Sequence, residues 1–280
     1  MLLLALDTST RQASVALCSE QHLYGEYSWH IGNNHSVELL ERVQRLLAEC
    51  GISMSALDGI VVATGPGSFN GVRVAVAAAK ALAFALRKPL VGISTLQVGA
   101  AAHQHWPGLI CSLLEAGRSE LYAACYLFAA QEGEGGLTFY RPRQLGTYQL
   151  LAPQELAGYI HTQVLPQMES TREAQALPCL CCGEISDQSR QLLATHLEVP
   201  VFFVPALCSV RHASVLASLA RLRLAEHLLD DPLLLEPLYL RRPSITASVR
   251  KQPLLGKKTI ASEKPDGQQN TEREEGALRH

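Results

Sequence analysis

This 280-residue sequence has no excess of positive charge: 24 Lys and Arg stand against 26 Asp and Glu, for a net charge of −2. A protein that grips a phosphate backbone unaided is usually basic, so direct nucleic-acid binding by this chain alone is disfavoured. No apolar run approaches the ~20 residues of a membrane span. The opening Met1 to Leu6 is too short for a signal h-region, lacks a basic flank and runs straight into Asp7. A cytoplasmic protein without a membrane is therefore expected. No two of the ten His stand four apart, which removes a His-x3-His helical metal site. There is no Gly-x-Ser-x-Gly nucleophile elbow. Eight Cys are present, but none makes a Cys-x2-Cys pair with a mate at zinc spacing. Most sit in apolar segments, as a reduced Cys used as a small hydrophobe does. Cys179-Leu180-Cys181-Cys182 is the one cluster, and it reads as a buried strand rather than a metal or redox site.

What is present begins with a Gly-rich turn, Gly65-Pro66-Gly67-Ser68-Phe69-Asn70-Gly71-Val72-Arg73. It lies between a strand-like segment, 59–64, and an Ala-rich helix, 74–86. Such a turn gathers backbone N–H groups and a helix N-terminus at one point, as phosphate sites do. The spacing nevertheless misses both common phosphate motifs. Asn70 stands where a Walker A loop needs Gly, with no Lys-Ser/Thr following, and the third Gly is one position late for a dinucleotide fingerprint.

Hydrophobic residues make up 48% of the chain, ample for one large domain or two of about 100–150 residues. Strands are expected at 1–6, 13–18 and 22–29, a helix after Asn33 to Ser36 running to Cys50, then strand 59–64, helix 74–86, strand 89–93 and helix 95–103. The order repeats loosely afterwards. Strands 109–114 and 120–128, a helix from 152, strand 177–182, helix 187–197, strand 201–204 and helix 210–229 follow. Two α/β lobes of like topology result, with the boundary near 103–108. From Ser244 the chain turns polar and nearly devoid of aromatics, and residues 244–280 are expected to form a disordered tail.

Few residues are candidates for chemistry. Asp7, closing the first strand, could position a metal-bound phosphate at the sheet's C-terminal edge, or simply hydrogen-bond its own backbone in a turn. Ser68 reads as a capping residue before a nucleophile, since nothing offers it a base. The Ala-rich helix and the Leu-rich helix before it could both bury into one sheet. They could also leave a shared stripe for a partner's helices.

Taken together, Leu4 to Thr10, Ala13 to Leu17, Gly65 to Arg73, Gly92 to Leu96, Ser119-Glu120-Leu121-Tyr122 and Pro237 to Arg241 resemble the bacterial TsaB (YeaZ) family, in matching order over about residues 1–243. The resemblance implies an α/β, two-lobed fold of the actin/hexokinase/Hsp70 (ASKHA) superfamily, each lobe a mixed sheet with helices. Residues 1–104 would form the N-terminal lobe and 105–243 the C-terminal lobe. It further implies a non-catalytic subunit that binds and activates a TsaD-like transferase in threonylcarbamoyladenosine formation on tRNA. A TsaE-like ATPase would join, tRNA would be met only through the complex, and the chain would be free to homodimerise without its partner. No cofactor is required by this chain itself, and ATP or ADP belongs to the complex.

The partner-facing helices carry over as about 36–49 and 72–86, with Leu39, Leu40, Val43, Arg73, Val76, Ala79, Lys80 and Ala83 as the contact residues. On this expectation Ala79→Glu breaks pairing and leaves the monomer folded. The candidate nucleotide contacts are Asp7, Thr8, Gly65, Gly67, Ser68 and Gly71. Two departures stand out. Asn70 replaces the family's usual Thr, and Glu115-Ala116-Gly117-Arg118 replaces Asp-Ala-Arg, while 131–136 looks like a loop insertion. The rival readings are a stand-alone ATP-dependent small-molecule kinase of the same superfamily and, behind it, a peptidase.

Overall fold

Four consecutive apolar residues, Leu3 to Leu6, cannot all face one side of a strand. In β1 (Leu3–Asp7) Leu4 and Leu6 enter one core and Leu3 and Ala5 another, and every side chain is buried. This is the period-two alternation of a strand covered on both faces. The computed structural model describes residues 1–31, 35–132, 138–168 and 178–241, with backbone alone at 35–37. The expected N-cap at 33–36, the tip of the expected insertion and the 244–280 tail fall outside the described residues or their side chains.

β1 is the middle of a five-stranded sheet with β2 (Gln12–Cys18), β3 (Leu23–His30), β4 (Gly59–Ala63) and β5 (Leu90–Ile93), in the order β3-β2-β1-β4-β5. The first three strands are antiparallel, whereas β4 and β5 add parallel on the other side. A second sheet repeats this wiring. Here β6 (Leu109–Glu115), β7 (Leu121–Glu132) and β8 (Thr138–Leu151) form the meander, and β9 (Cys179–Glu184) and β10 (Val201–Phe203) the parallel side, in the order β10-β9-β6-β7-β8. Two mixed sheets with helices are what the resemblance implied, and their like wiring is what the repeated order of elements suggested.

Helices α1 (His35–Glu49) and α2 (Phe69–Leu86) cover the outer face of the first sheet, and α4 (Pro153–Tyr159) and α5 (Asp187–His196) that of the second. Two helices fill the middle layer. α3 (Thr95–Ala101) packs mainly against the second sheet, while α6 (Ala213–Ala225), from late in the chain, packs on the first through Leu216, Ala217, Leu219 and Ala220. Cys179, Cys181 and Cys182 are buried in β9, as expected of a core strand.

Two expectations change. β8 carries little alternation and contains Pro142 and Gly146, so it does not read as a strand. It is an edge strand, where Pro is tolerated because one side of the ladder is open. α2 begins five residues earlier than its Ala-rich stretch. At 18 residues it is long and apolar enough, by length and composition, to cross a membrane. Its Val72, Ala75, Val76, Ala79 and Ala83 are nonetheless buried against the sheet, as in a core helix.

Candidate functional site

The end of β1 meets the start of α2, and the contact is backbone to backbone. Ser68 caps α2, its hydroxyl accepting from the Gly71 N–H at 3.4 Å. Its own N–H donates to Ser9 O at 2.6 Å, and the Thr8 hydroxyl donates to Gly71 O at 2.7 Å. A Cβ on Gly67 would lie 2.1 Å from Ser9 O, and one on Gly71 2.1 Å from Thr8 O. No side chain fits at either position. Gly65, at φ +98°, exchanges hydrogen bonds with Thr95: its N–H reaches the Thr95 hydroxyl at 3.0 Å and its carbonyl accepts from the Thr95 N–H at 2.8 Å.

The structure thus brings Asp7, Thr8, Gly65, Gly67, Ser68 and Gly71 together. Gly67 and Gly71 are accounted for by their close fit to the Thr8-Ser9 turn and Gly65 by its positive φ, without any phosphate. Asp7 and Thr8 are also fully buried, so neither side chain is presented to a ligand.

What holds Asp7 is Arg211, just before α6. The Arg211 side chain is 2% exposed and that of Asp7 is 1%. Arg211 Nε donates to Asp7 Oδ2 at 3.1 Å, Nη1 to Glu184 Oε1 at 2.5 Å, and Nη2 to the Thr10 hydroxyl at 2.6 Å and Gln12 O at 3.2 Å. The other Asp7 oxygen accepts from the Ser9 N–H at 2.8 Å and from the Ser9 hydroxyl. Burial alone would depress the Arg211 pKa. The Asp7 and Glu184 carboxylates outweigh it and raise the value, so the guanidinium stays charged. A metal ion held through Asp7, one reading of the sequence, does not fit these residues. Among the described residues no group of three or more His, Cys, Asp or Glu is arranged to hold one. Sequence reasoning passed over Arg211, Glu184 and Thr10. The available signal was a lone Arg after Val210, on entry to a long apolar helix.

Above this network lies a cleft of about 660 Å³, lined by Thr10, Arg11, Ser68, Tyr122, Glu184 and Arg190 among others. The Nε of Arg190 is buried there without a hydrogen-bond partner. Glu115 borders the cleft, but its carboxylate accepts from the Ser186 N–H at 2.9 Å and the Ser189 hydroxyl at 2.7 Å, at the N-terminus of α5. Its place in the departing turn is therefore that of a helix-end acceptor. The turn itself carries left-handed φ at Gly117, Arg118 and Ser119. Arg241 clamps it, donating to Ala116 O at 2.9 Å and to the Glu120 carboxylate.

Residues 230–241 run back along the first sheet as a strap. The Asp230 N–H donates to Leu90 O at 2.9 Å and the Leu238 N–H to Thr64 O at 2.7 Å. Lys80 Nζ donates to Leu235 O at 3.0 Å and Leu233 O at 3.3 Å.

The expected partner face needs correction. Leu39, Val43, Val76, Ala79 and Ala83 are all buried in the core under the sheet, because helical spacing puts them on the inward stripe. Lys80 is tied to the strap. Leu40 and Arg73 do face outward, and with Asn70, Val74, Ala77 and Ala78 they line a groove of about 480 Å³ between the two helices. Phe69 stacks near Tyr239 with ring centroids 5.3 Å apart, and the Arg73 guanidinium lies over the Phe69 ring at 5.0 Å. Phe84, one helix end away, is 74% exposed.

Residues 30–245 match the family model described as TsaD, tRNA N6-adenosine threonylcarbamoyltransferase. The chain belongs to the TsaD family. Within it, the likeness is to the proteins called TsaB or YeaZ. The chain is 39% identical over 128 residues to the tRNA threonylcarbamoyladenosine biosynthesis protein TsaB of Bacillus subtilis, covering 46% of this chain and 56% of that protein. It is 31% identical over 159 residues to the protein of the same name from Haemophilus influenzae, covering 55% and 65%. The matches thus span between about half and two thirds of the length of these curated relatives. The solved structure of YeaZ from Pseudomonas aeruginosa superposes with a TM-score of 0.65 at 28% identity, covering 85% of this TsaD-family chain and 99% of that one.

Proposed function

We propose that this chain is a non-catalytic subunit that binds and activates a TsaD-like transferase in forming threonylcarbamoyladenosine on tRNA. The observation that carries the reading is the pairing of two features: an outward α1–α2 face of small and apolar residues, and a cleft beneath which the carboxylate at the end of β1 is buried and neutralised from within. The outward residues Leu40, Val74, Ala77, Ala78 and Phe84 suit close helix packing, since small side chains let a second helix approach. A kinase needs a carboxylate free to work on phosphate or metal, and the Asp7 pairing with Arg211 argues against that rival.

The chain itself needs no cofactor on this reading. ATP or ADP belongs to the complex, and a phosphate entering the cleft of this chain would meet Ser68, Arg11 and Arg190 rather than Asp7. A near-neutral chain is suited to meeting tRNA only as part of the assembly, to which a TsaE-like ATPase would add, in the cytoplasm. In the partner's absence the same face serves a homodimer.

The test is size-exclusion chromatography with the TsaD-like protein of the same organism, followed by threonylcarbamoyl transfer to tRNA with and without this chain. A one-to-one complex and transfer that depends on the chain are expected. No complex together with unchanged transfer would reduce the relationship to one of fold.

A further inference from the structure

A carboxylate at the C-terminal edge of a parallel strand is where an α/β protein commonly meets a ligand's charge. In this chain that position is filled from within. We propose that Arg211 is a built-in counter-cation: it occupies the place between Asp7 and Glu184 that a divalent ion would otherwise take, making the cleft a metal-free site whose two walls are tied together.

The geometry supplies both parts of this. Asp7 ends β1 of the first sheet and Glu184 ends β9 of the second. One guanidinium reaches both, and its third arm takes the Thr10 hydroxyl and Gln12 O. Thr10 in turn donates to Glu184 Oε1 at 2.8 Å, closing the ring. A guanidinium presents five donors in a rigid planar fork and cannot be deprotonated in a protein, so the counter-charge is permanent. A hard divalent ion needs about six oxygen ligands at close range. Here Asp7 has one oxygen engaged by Ser9 and the other by Arg211, and the ion would also meet the positive charge of the guanidinium. Glu184, half-exposed at the cleft wall, is the end of the bridge nearest to solvent. The inference does not depend on pairing with a transferase, because every residue in it belongs to this chain.

The experiment compares full-length wild type, Asp7→Asn, Arg211→Met and Asp7→Asn/Arg211→Met. Mn²⁺ binding is followed by electron paramagnetic resonance of the free ion, and thermal melts are run with and without Mn²⁺ or ethylguanidinium. Wild type should bind no Mn²⁺ that depends on Asp7, and its melt should not move. Arg211→Met leaves a buried carboxylate unpaired and should melt roughly 10 °C lower. Mn²⁺ or ethylguanidinium should restore much of that loss. The double variant has no such charge, should recover stability and should respond to neither additive. Three results would each overturn the proposal. One is wild-type Mn²⁺ binding that Asp7→Asn abolishes with Arg211 in place. Another is an Arg211→Met melt equal to wild type. The last is a double variant no more stable than the single, which includes the case in which neither folds.

Discussion

Residue chemistry decides more here than composition suggests, and the cysteines show it. Burial pushes the Cys182 thiol up to about 12, and burial, followed by the nearby Glu26, pushes Cys18 up to about 11, against an ordinary value of 9.0. The folded state therefore prefers both thiols protonated. Below pH 9 neither state ionises them and they add no pH dependence. Above it the unfolded chain loses its thiol protons first, so stability should fall as pH rises from about 9 toward 11 or 12, by at most about 1.4 kcal/mol per pH unit for each group. Urea midpoints measured at rising pH check this, and the slope should shrink in Cys182→Ala. A slope unchanged by that substitution would mean that other groups cause it. The sequence did reveal these thiols as core residues, because each sits in an apolar run. It did not reveal why Gly67 and Gly71 are glycine. Their reason is a carbonyl 2.1 Å from the missing Cβ, contributed by residues some sixty positions earlier.

At the scale of the element, α2 has two faces that differ in what they tolerate. Ala79 is wholly buried against the sheet and Ala77, two residues before it, is exposed. A Glu at 79 puts an unpaired charge in the core and should cost about 3 kcal/mol or more, losing fold and pairing together. A Glu at 77 sits in water and should leave stability within about 0.5 kcal/mol while weakening association with the partner. Chemical denaturation separates the two variants, and chromatography of the folded Ala77→Glu chain reads the pairing. Normal co-elution would remove this face from the interface. The sequence pattern identified the helix but not its orientation. Alanine occupies both faces, so hydrophobic periodicity is weak along it, and the inward side shows only in the packing of Val72, Ala75, Val76, Ala79 and Ala83. β8 failed for the opposite reason: a Pro and a Gly interrupt an edge strand that has only one paired side to satisfy.

Across the whole molecule, contacts remote in sequence join the parts. Arg241 ties the end of the strap to the β6–β7 turn, and it is partly exposed, as is Glu120. Arg241→Ala should therefore cost no more than about 1 kcal/mol of global stability, yet amide hydrogen exchange at Glu120 and its neighbours should quicken while β1 stays protected. Equal quickening in β1 would show that the strap holds the whole fold and not one turn. The repeated order of elements was legible, β8 apart, because each half repeats its own local pattern. The Arg211 network and the strap were not, because they join residues about two hundred positions apart in the first case and about 120 to 170 in the second, and local pattern is silent on such pairs. The placement of α6 has a consequence for how the chain is made. The inner face of the first sheet, Leu3, Ala5, Ala16, Val61 and Val91, is sealed by a helix encoded after the entire second sheet. At ordinary rates of synthesis that face waits on the order of ten seconds for its cover. A ribosome stalled after the first sheet has emerged and before α6 has would hold out that sheet with most of one apolar side uncovered, the state in which a nascent chain most needs a chaperone.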